Sequence, residues 1–227
     1  AESKAAVEQN KLDGKNVQLD REYVAANETY AKEFAKYTSR DIMDLAYDAD
    51  ALKVGQRLFL QNCAQCHGSD ARGQRGYPNL TDDDWLYGGT PDKIKETLLY
   101  GRKAAMPAWG DALGEQGVKE MTAYVLSLSG RKVNDKDAAA GKTKFGMCAA
   151  CHGADGKGSL AHNLPFGAPN LTDNTWLYGG SHGAVEETLL KGRNGQMPAF
   201  KEILGEDKIH IISAYVYRLS RPEESSK

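Results

Sequence analysis

Four cysteines form two C-x-x-C pairs, and a histidine follows each pair directly, as CAQCH at 63–67 and CAACH at 148–152. A C-x-x-C pair alone is compatible with a zinc half-site, a redox dithiol or a disulfide. With the added histidine, the pattern is the attachment signature of c-type haem. Two thiols add to the vinyl groups of one haem edge, and the imidazole becomes an axial ligand of the iron. The sequence therefore predicts two covalent haem c groups, attached through Cys63, Cys66, Cys148 and Cys151, with His67 and His152 as axial ligands.

The sequence around these motifs occurs twice. The second haem motif follows the first by 85 residues, and the matches beyond it follow by 91. PNLTDDDWLYGG at 78–89 and PNLTDNTWLYGG at 169–180 agree at ten of twelve positions. Six extra residues therefore lie in the second copy, between its haem motif and its PNL. A fixed step of this size indicates a tandem duplication.

Domain boundaries and fold class follow from this repeat. We predict one domain at 50–131 and a second at 136–221, joined by the short polar linker RKVNDKD and preceded by an N-terminal arm at 1–49. Apolar residues recur at helical spacing, and no stretch alternates persistently enough to indicate a sheet. We expect an all-α protein made of two tandem domains. Each domain is too small to bury much by itself, and an apolar haem would complete its core.

Individual helices are also predicted. Thr90 is a candidate N-cap, with Pro91 at the first helical position and Gly101 near the end. A residue of the DAD stretch at 48–50 is a candidate N-cap for the helix that leads into the first haem motif. Two amphipathic stripes match each other in the two copies: Val118, Met121, Val125 and Leu128, and Ile209, Ile212, Val216 and Leu219.

The repeat also sorts the candidates for the second axial ligand of each iron. Met121 is matched by Ile212, Met147 adjoins Cys148 on the histidine side, and Met43 lies in the arm. Met106 and Met197 match each other, and each is followed by proline, whose fixed φ suits a rigid ligand. A lone methionine is more often core filler, but the matched positions favour ligation by Met106 and Met197.

The remaining histidines are weaker candidates. His182 is matched by Pro91 and His210 by Lys119, so neither position requires an imidazole. His162 lies in the six-residue insertion, and we expect it not to bind iron.

The repeated PNL, TDxxW and YGG segments suggest a cradle for each haem. A proline carbonyl could accept a hydrogen bond from the ligating histidine, and the leucine could pack on the porphyrin. The tryptophan N–H and a downstream arginine could bind haem propionates. Ordinary core packing is an equally good interpretation of the apolar side chains. The residues concerned are Pro78, Leu80, Trp85 and Arg102 in the first copy and Pro169, Leu171, Trp176 and Arg193 in the second.

The overall composition excludes some classes of protein. The formal net charge of −2 gives no reason to expect nucleic acid as a partner. No run approaches the roughly 18 apolar residues that span a bilayer, and no signal peptide stands at the start. The sequence contains no separate arrangement for acid–base or nucleophilic catalysis, so we expect no enzyme activity of its own.

The two CxxCH, PNL and MP units resemble class I cytochromes c. The segments GQRLFLQNCAQCHGSDARG, CAACHGADGKG and the two LTDxxWLYGG loops more specifically resemble the dihaem subunit of cbb3-type cytochrome c oxidases. The resemblance covers the chain from about Ile42 onward. It implies an electron-transfer subunit that receives electrons from a soluble cytochrome c. The electrons then pass to a monohaem subunit and the catalytic, oxygen-reducing subunit.

The resemblance also implies a location. Haem domains of this family lie in the bacterial periplasm, held to the inner membrane by an N-terminal helix that is absent from this sequence. The arm, with Tyr30, Phe34 and Tyr37 at helical spacing, would then connect the anchor to the domains. A helix packed on the first domain is an equally good interpretation of the arm.

Two other functions remain open at the level of sequence. A freestanding dihaem carrier similar to cytochrome c4 has the same tandem architecture. A haem enzyme or gas sensor, such as a dihaem peroxidase, needs an open iron position. The presence of a candidate methionine for each haem argues against this third function.

Overall fold

A computed structural model describes residues 34–221 of the chain. Residues 34–38 are helical. The elements that follow are α1 (Ile42–Leu45), α2 (Ala49–Asn62), α3 (Ala64–His67), α4 (Pro91–Tyr100), β1 (Arg102–Met106), α5 (Gly110–Leu128), α6 (Asp135–Lys144), α7 (Gly146–His152), α8 (Gly158–Ala161), α9 (His182–Lys191), β2 (Arg193–Met197) and α10 (Lys201–Leu219). The described part is therefore helix-rich, with one pair of short strands.

The helix ends follow the local signals in the sequence. Thr90 accepts a hydrogen bond from the backbone N–H of Lys93, and Pro91 occupies the first position of α4. Gly101 ends this helix with φ +70°, a conformation that favours glycine. Asp48 caps α2 by accepting hydrogen bonds from the N–H groups of Asp50 and Ala51. These capping predictions are confirmed, with Asp48 as the cap in the DAD stretch.

Two hydrophobic cores form, and each contains helices from both repeats. Helix α10, which ends the second repeat, packs against α1, α2 and α4 of the first. Helix α5, which ends the first repeat, packs against α6 and α9 of the second. The amphipathic stripes supply the contacts: Ile209, Ile212 and Val216 are buried in the first core and Val118, Met121 and Val125 in the second. The two repeats thus exchange their C-terminal helices.

Two glycines allow the exchanged helices to approach closely. A Cβ atom on Gly55 of α2 would lie 2.6 Å from Tyr215 Cβ of α10. A Cβ atom on Gly141 of α6 would overlap the backbone of Glu120 in α5. It would also lie 2.8 Å from Cβ of Tyr124 in the same helix. Since any side chain would separate these helices, glycine is required at both crossings.

The strands carry the chain from one core to the other. β1 and β2 pair antiparallel, with Arg102 opposite Met197 and Met106 opposite Arg193. The sequence did not predict this ribbon, because five-residue strands are too short to show persistent alternation. Beyond each strand the backbone joins the other repeat: Trp109 N–H donates to Leu189 O (2.7 Å) and Phe200 N–H to Leu98 O (2.9 Å).

The described part of the arm packs on the first core. Phe34 and Tyr37 are buried there with α10. His210 of α10 places Nε2 2.8 Å from the carbonyl oxygen of Arg40 and thus donates a hydrogen bond to it. Tyr30 and the rest of the arm lie outside the described residues. Between residues 34 and 221, no helix is both long and apolar enough to cross a membrane.

Candidate haem sites

Each C-x-x-C-H histidine is buried and held by a proline carbonyl. Nδ1 of His67 lies 3.0 Å from Pro78 O, and Nδ1 of His152 lies 3.0 Å from Pro169 O. A carbonyl can only accept, so Nδ1 carries the hydrogen and Nε2 keeps the lone pair that binds a metal. Burial lowers the pKa of both imidazoles, although the hydrogen bond to proline acts in the opposite direction. Both rings are therefore neutral at pH 7, as iron ligation requires.

Two further glycines bring these proline carbonyls into place. Gly73 has φ +72°, and a Cβ atom there would lie 2.7 Å from the carbonyl carbon of Pro78. Gly158 has φ +84°, and its Cβ atom would lie 2.8 Å from the carbonyl carbon of Pro169. The backbone N–H of Leu80 donates to Ala71 O, which pins the segment after Pro78 (2.8 Å). Sequence reasoning missed both glycines, although their 85-residue step, the same as that of the cysteines, could have identified them.

None of the four cysteines forms a disulfide, and each pair lies directly before its histidine. Burial raises the pKa of Cys63 to about 11, with a smaller contribution from Cys66. Burial likewise raises the pKa of Cys148. Cys63 and Cys148 face the interior, while Cys151 is exposed. The pairs would hold a largely apolar group through thioether bonds, with Cys63 and Cys148 on the buried side.

The two matched methionines lie in the core of the opposite repeat. Met197 packs against the first core, which contains Cys63, and Met106 against the second, which contains Cys148. The strand register produces this exchange, because Met197 pairs with Arg102, directly after α4. Met121 is fully buried in the second core, and Met43 and Met147 are exposed. The structure therefore brings Met197 to the core that contains Cys63 and Met106 to the core that contains Cys148.

The predicted propionate ligands lie around the same two cores. Trp85 packs against the first core and Trp176 against the second. Arg102 donates to Thr97 Oγ1 (2.8 Å) and to Glu96 Oε1 (2.9 Å). Arg193 donates to Thr188 Oγ1 (3.0 Å), and its Nη2 lies 3.4 Å from Glu187 Oε2, without hydrogen-bond geometry.

Two buried donors in the second cradle fit a haem propionate. Trp176 Nε1 and Arg193 Nη2 are buried and make no hydrogen bond to any residue that the structure describes. A buried donor without an acceptor costs about 1–3 kcal/mol. A propionate oxygen would satisfy these donors. Together with the paired cysteines and the oriented imidazoles, they make the residues present a good fit for haem c.

The insertion of the second repeat leaves its cradle unchanged. The side chain of Ser159 accepts a hydrogen bond from Ala168 N–H (3.0 Å), and Ser159 N–H donates to Ala168 O (2.9 Å). This closure brings the chain back to Pro169, whose carbonyl still accepts from Nδ1 of His152. His162 Nε2 lies 2.8 Å from Asp155 Oδ1 at the surface. His162 thus contacts a carboxylate rather than the methionine side of the core.

The two cradles contact each other through the loop that follows the first haem motif. Gly76 N–H donates to Leu177 O (2.8 Å) in the WLYGG segment of the second repeat. Arg75 donates to Tyr178 O (3.3 Å) and forms a 2.6 Å ion pair with Glu187. Gly167, in the insertion, lies against the hydroxyl group of Tyr87. The WLYGG segments of both repeats therefore lie at a contact between the two repeats.

A carboxylate at this interface gives a pH-dependent prediction. Burial raises the pKa of Asp84 to about 6, and the negative charge of Asp173, from the other repeat, adds to the rise. The folded state therefore holds this proton more tightly than the unfolded state, so stability falls as the pH rises from about 4 to about 6, and the full loss is present above pH 6. We expect Asp84→Asn to raise the unfolding free energy by about 1 kcal/mol near pH 7. This value is discounted for solvent screening of a half-exposed group.

The gain from Asp84→Asn should shrink as the pH falls below about 6 and vanish below about 3, where both states hold the proton. Urea unfolding at a series of pH values measures the effect. The matched control is Asp83→Asn, the same change at an exposed neighbour. An equal gain from both substitutions, or a gain independent of pH, would show that Asp84 is not the responsible group.

The oriented imidazoles, the cysteine pairs and the helix-rich fold define a c-type cytochrome. The family described as cytochrome c oxidase, cbb3-type, subunit III matches this chain over residues 50–125 and 136–216. The chain belongs to this family, and a cytochrome c family implies covalently bound haem c. The prediction from the sequence motifs is confirmed at this level.

Several curated relatives carry the same name. The cbb3-type cytochrome c oxidase subunit CcoP of Rubrivivax gelatinosus is 49% identical over 189 residues, which cover 83% of this chain and 61% of the relative. Subunit FixP of Sinorhizobium medicae is 40% identical, covering 76% of this chain and 62% of the relative. Subunit CcoP of Cereibacter sphaeroides is 39% identical, covering 92% and 75%. This chain thus spans less than two thirds of the length of the first two.

Proposed function

We propose that this chain carries two haem c groups and transfers electrons within a cbb3-type oxidase. One observation carries the proposal: the core that contains a cysteine of each haem motif also packs against a methionine that a paired strand brings from the other repeat. Each haem, when bound, supplies one-electron chemistry at its iron. The protein attaches the haem, orients the imidazole and surrounds the group with apolar side chains.

The geometry supports a crossed set of axial ligands. His67 with Met197 would hold the haem attached to Cys63 and Cys66. His152 with Met106 would hold the haem attached to Cys148 and Cys151. A thioether ligand raises the reduction potential of a haem relative to a second imidazole ligand. A high potential suits a carrier whose electrons finally reduce oxygen.

Electron exchange between the haems follows from the contact of the cradles. The Arg75–Glu187 ion pair and the Gly76–Leu177 hydrogen bond join the loops on which the cradles are built. The exchanged helices prevent the repeats from separating without unfolding. We infer a fixed distance between the haems, so that one electron from a soluble cytochrome c can be passed on within the chain.

The proposed partners follow from the family. A soluble cytochrome c would donate electrons on the periplasmic side of the bacterial inner membrane, and the monohaem and oxygen-reducing subunits would accept them. The chain itself would have no catalytic centre. The names of the relatives favour this role over that of a freestanding carrier, because each is an oxidase subunit.

The number of haems can be measured directly. The denatured chain should exceed the polypeptide mass by two haems, since thioether bonds survive denaturation. Digestion should recover one haem on the CAQCH peptide and one on the CAACH peptide. A single added haem, or haem lost on denaturation, would contradict the proposed attachment.

Electron transfer is tested by stopped-flow reduction with a soluble cytochrome c at increasing ionic strength. The bimolecular step should change with salt, as is usual for small, charged redox interfaces, and the step between the haems should not. Both haems should become reduced after one encounter. Separate bimolecular reduction of each haem would mean two independent carriers on one chain.

A further inference from the structure

The second haem cradle contains a second arginine, Arg131, besides Arg193. Arg131 follows α5 and lies in the linker between the repeats. Its guanidinium carbon lies 5.5 Å from the centre of the Trp176 ring, within the range of a cation–π interaction. Its Nη1 donates a hydrogen bond to the carbonyl oxygen of Gly180 (2.7 Å). Arg131 therefore joins the tryptophan to the end of the WLYGG loop.

Gly180 completes this arrangement. A Cβ atom on Gly180 would lie 2.7 Å from both Arg131 Nη2 and Trp176 Cδ1. The guanidinium, the glycine backbone and the indole thus pack without room for another atom. The orientation of the indole is restricted, and its Nε1 is left buried without an acceptor among the described residues.

Among residues 34–221, no arginine is placed over Trp85 of the first cradle as Arg131 is placed over Trp176. Trp85 packs against Gly89 just as Trp176 packs against Gly180. The position 91 residues after Arg131 is Pro222, which lies outside the described residues, and the preceding Arg221 lies over the ring of Tyr217 (4.0 Å). Because α5 and α10 are exchanged, the segment after α5 reaches the second cradle. The exchange therefore makes the cradles electrostatically different.

We propose that Arg131 is a positioning residue for the second haem. It holds the Trp176 N–H in place for a haem propionate, and its charge stabilises the reduced state of that haem alone. The proposal rests on the proposed function, because it requires haem at Cys148 and Cys151. Reduction adds one electron to the haem, and a positive charge nearby makes that addition more favourable. Arg131 should therefore raise the reduction potential of the second haem relative to the first.

Redox titration of the holoprotein tests this role. Trp85→Phe and Trp176→Phe first assign the two potentials, since each removes a donor from one cradle. Arg131→Gln should lower the potential that Trp176→Phe lowers. The expected change is about threefold to tenfold in the ferric–ferrous equilibrium, or about 30–60 mV. The shift in the double variant should be smaller than the sum, because both substitutions disturb one interaction.

The matched control is Lys132→Gln, which removes the same charge from the neighbouring exposed residue. Both side chains are exposed, but Lys132 makes no contact with Trp176 among the described residues, so Lys132→Gln should shift both potentials little. The proposal is overturned if Arg131→Gln moves neither potential, moves the one assigned to Trp85, or has only the effect of Lys132→Gln.

If Arg131→Gln does not retain both haems, Arg131→Lys takes its place. Lysine keeps the charge but loses the planar stacking, so a smaller fall in the same potential supports the proposal. An unchanged potential overturns it. The variants at residue 131 could keep two haems and exchange electrons while the potential of the second haem stays unchanged. That result would refute the positioning role and leave the proposed function intact.

Discussion

Met197→Ala will change the haem attached to Cys63 and Cys66, although Met197 belongs to the second repeat. Met197 packs against the first core, opposite Arg102 in the ribbon. Loss of the thioether should abolish the sulfur-to-iron absorption band of this haem. It should also lower the potential by roughly 100 mV, since axial ligands spread haem potentials over about 0.8 V. Met106→Ala should do the same to the haem attached to Cys148 and Cys151.

Met121→Leu is the control for this experiment. Met121 is fully buried in the second core but belongs to the helical stripe of α5, so its replacement should leave both absorption bands in place. Redox titration, with each potential assigned through Trp85→Phe and Trp176→Phe, shows which haem has changed. If Met197→Ala altered the haem attached to Cys148, each repeat would supply its own methionine.

Ile212→Ala and Met121→Ala should each lower the free energy of unfolding by about 2–5 kcal/mol, the usual cost of a large-to-small substitution in a packed core. Both side chains are fully buried, Ile212 in the first core and Met121 in the second. Because each core uses helices of both repeats, urea unfolding of either variant should remain one transition for both haems. Haem absorbance and circular dichroism measure it.

Ile203→Ala is the matched control, because Ile203 lies in the same helix α10 but is 67% exposed. Its effect should stay within about 0.5 kcal/mol. Two separate unfolding transitions, with Ile212→Ala moving the one that belongs to the second haem, would mean that each repeat folds on its own helix.

Much of the site could be predicted from residue types and spacing. The histidines, cysteines and matched methionines were identified because the repeat separates positions that need a specific side chain from those that need only an apolar one. Met121 and Ile212 illustrate this, since both fill buried positions in their helices. The cap at Thr90 follows from rules that act within one turn of helix.

The exchange of helices could not be predicted in the same way. The apolar stripes of α5 and α10 have the same spacing. The sequence pattern alone is therefore compatible with packing either helix into either core. What distinguishes the two arrangements is the path of the chain after Gly101 and Gly192. A Cβ atom on Gly101 would meet the backbone of Met197, and one on Gly192 the backbone of Met106. These contacts are long-range, and the sequence shows the two glycines only as helix ends. The boundaries at 131 and 136 therefore remain a prediction about sequence units.

The most direct measurement of the crossed arrangement is nuclear Overhauser spectroscopy of the reduced holoprotein. The two axial methionine methyl signals, shifted by the haem ring currents, are assigned by their loss in Met197→Leu and Met106→Leu. The haem that shows cross-peaks to the Met197 methyl should also show cross-peaks to Leu80 and Ile94. The haem that shows cross-peaks to the Met106 methyl should show them to Leu171 and Val185. Contacts from the Met197 methyl and its haem to Leu171 and Val185 would contradict the crossed ligation.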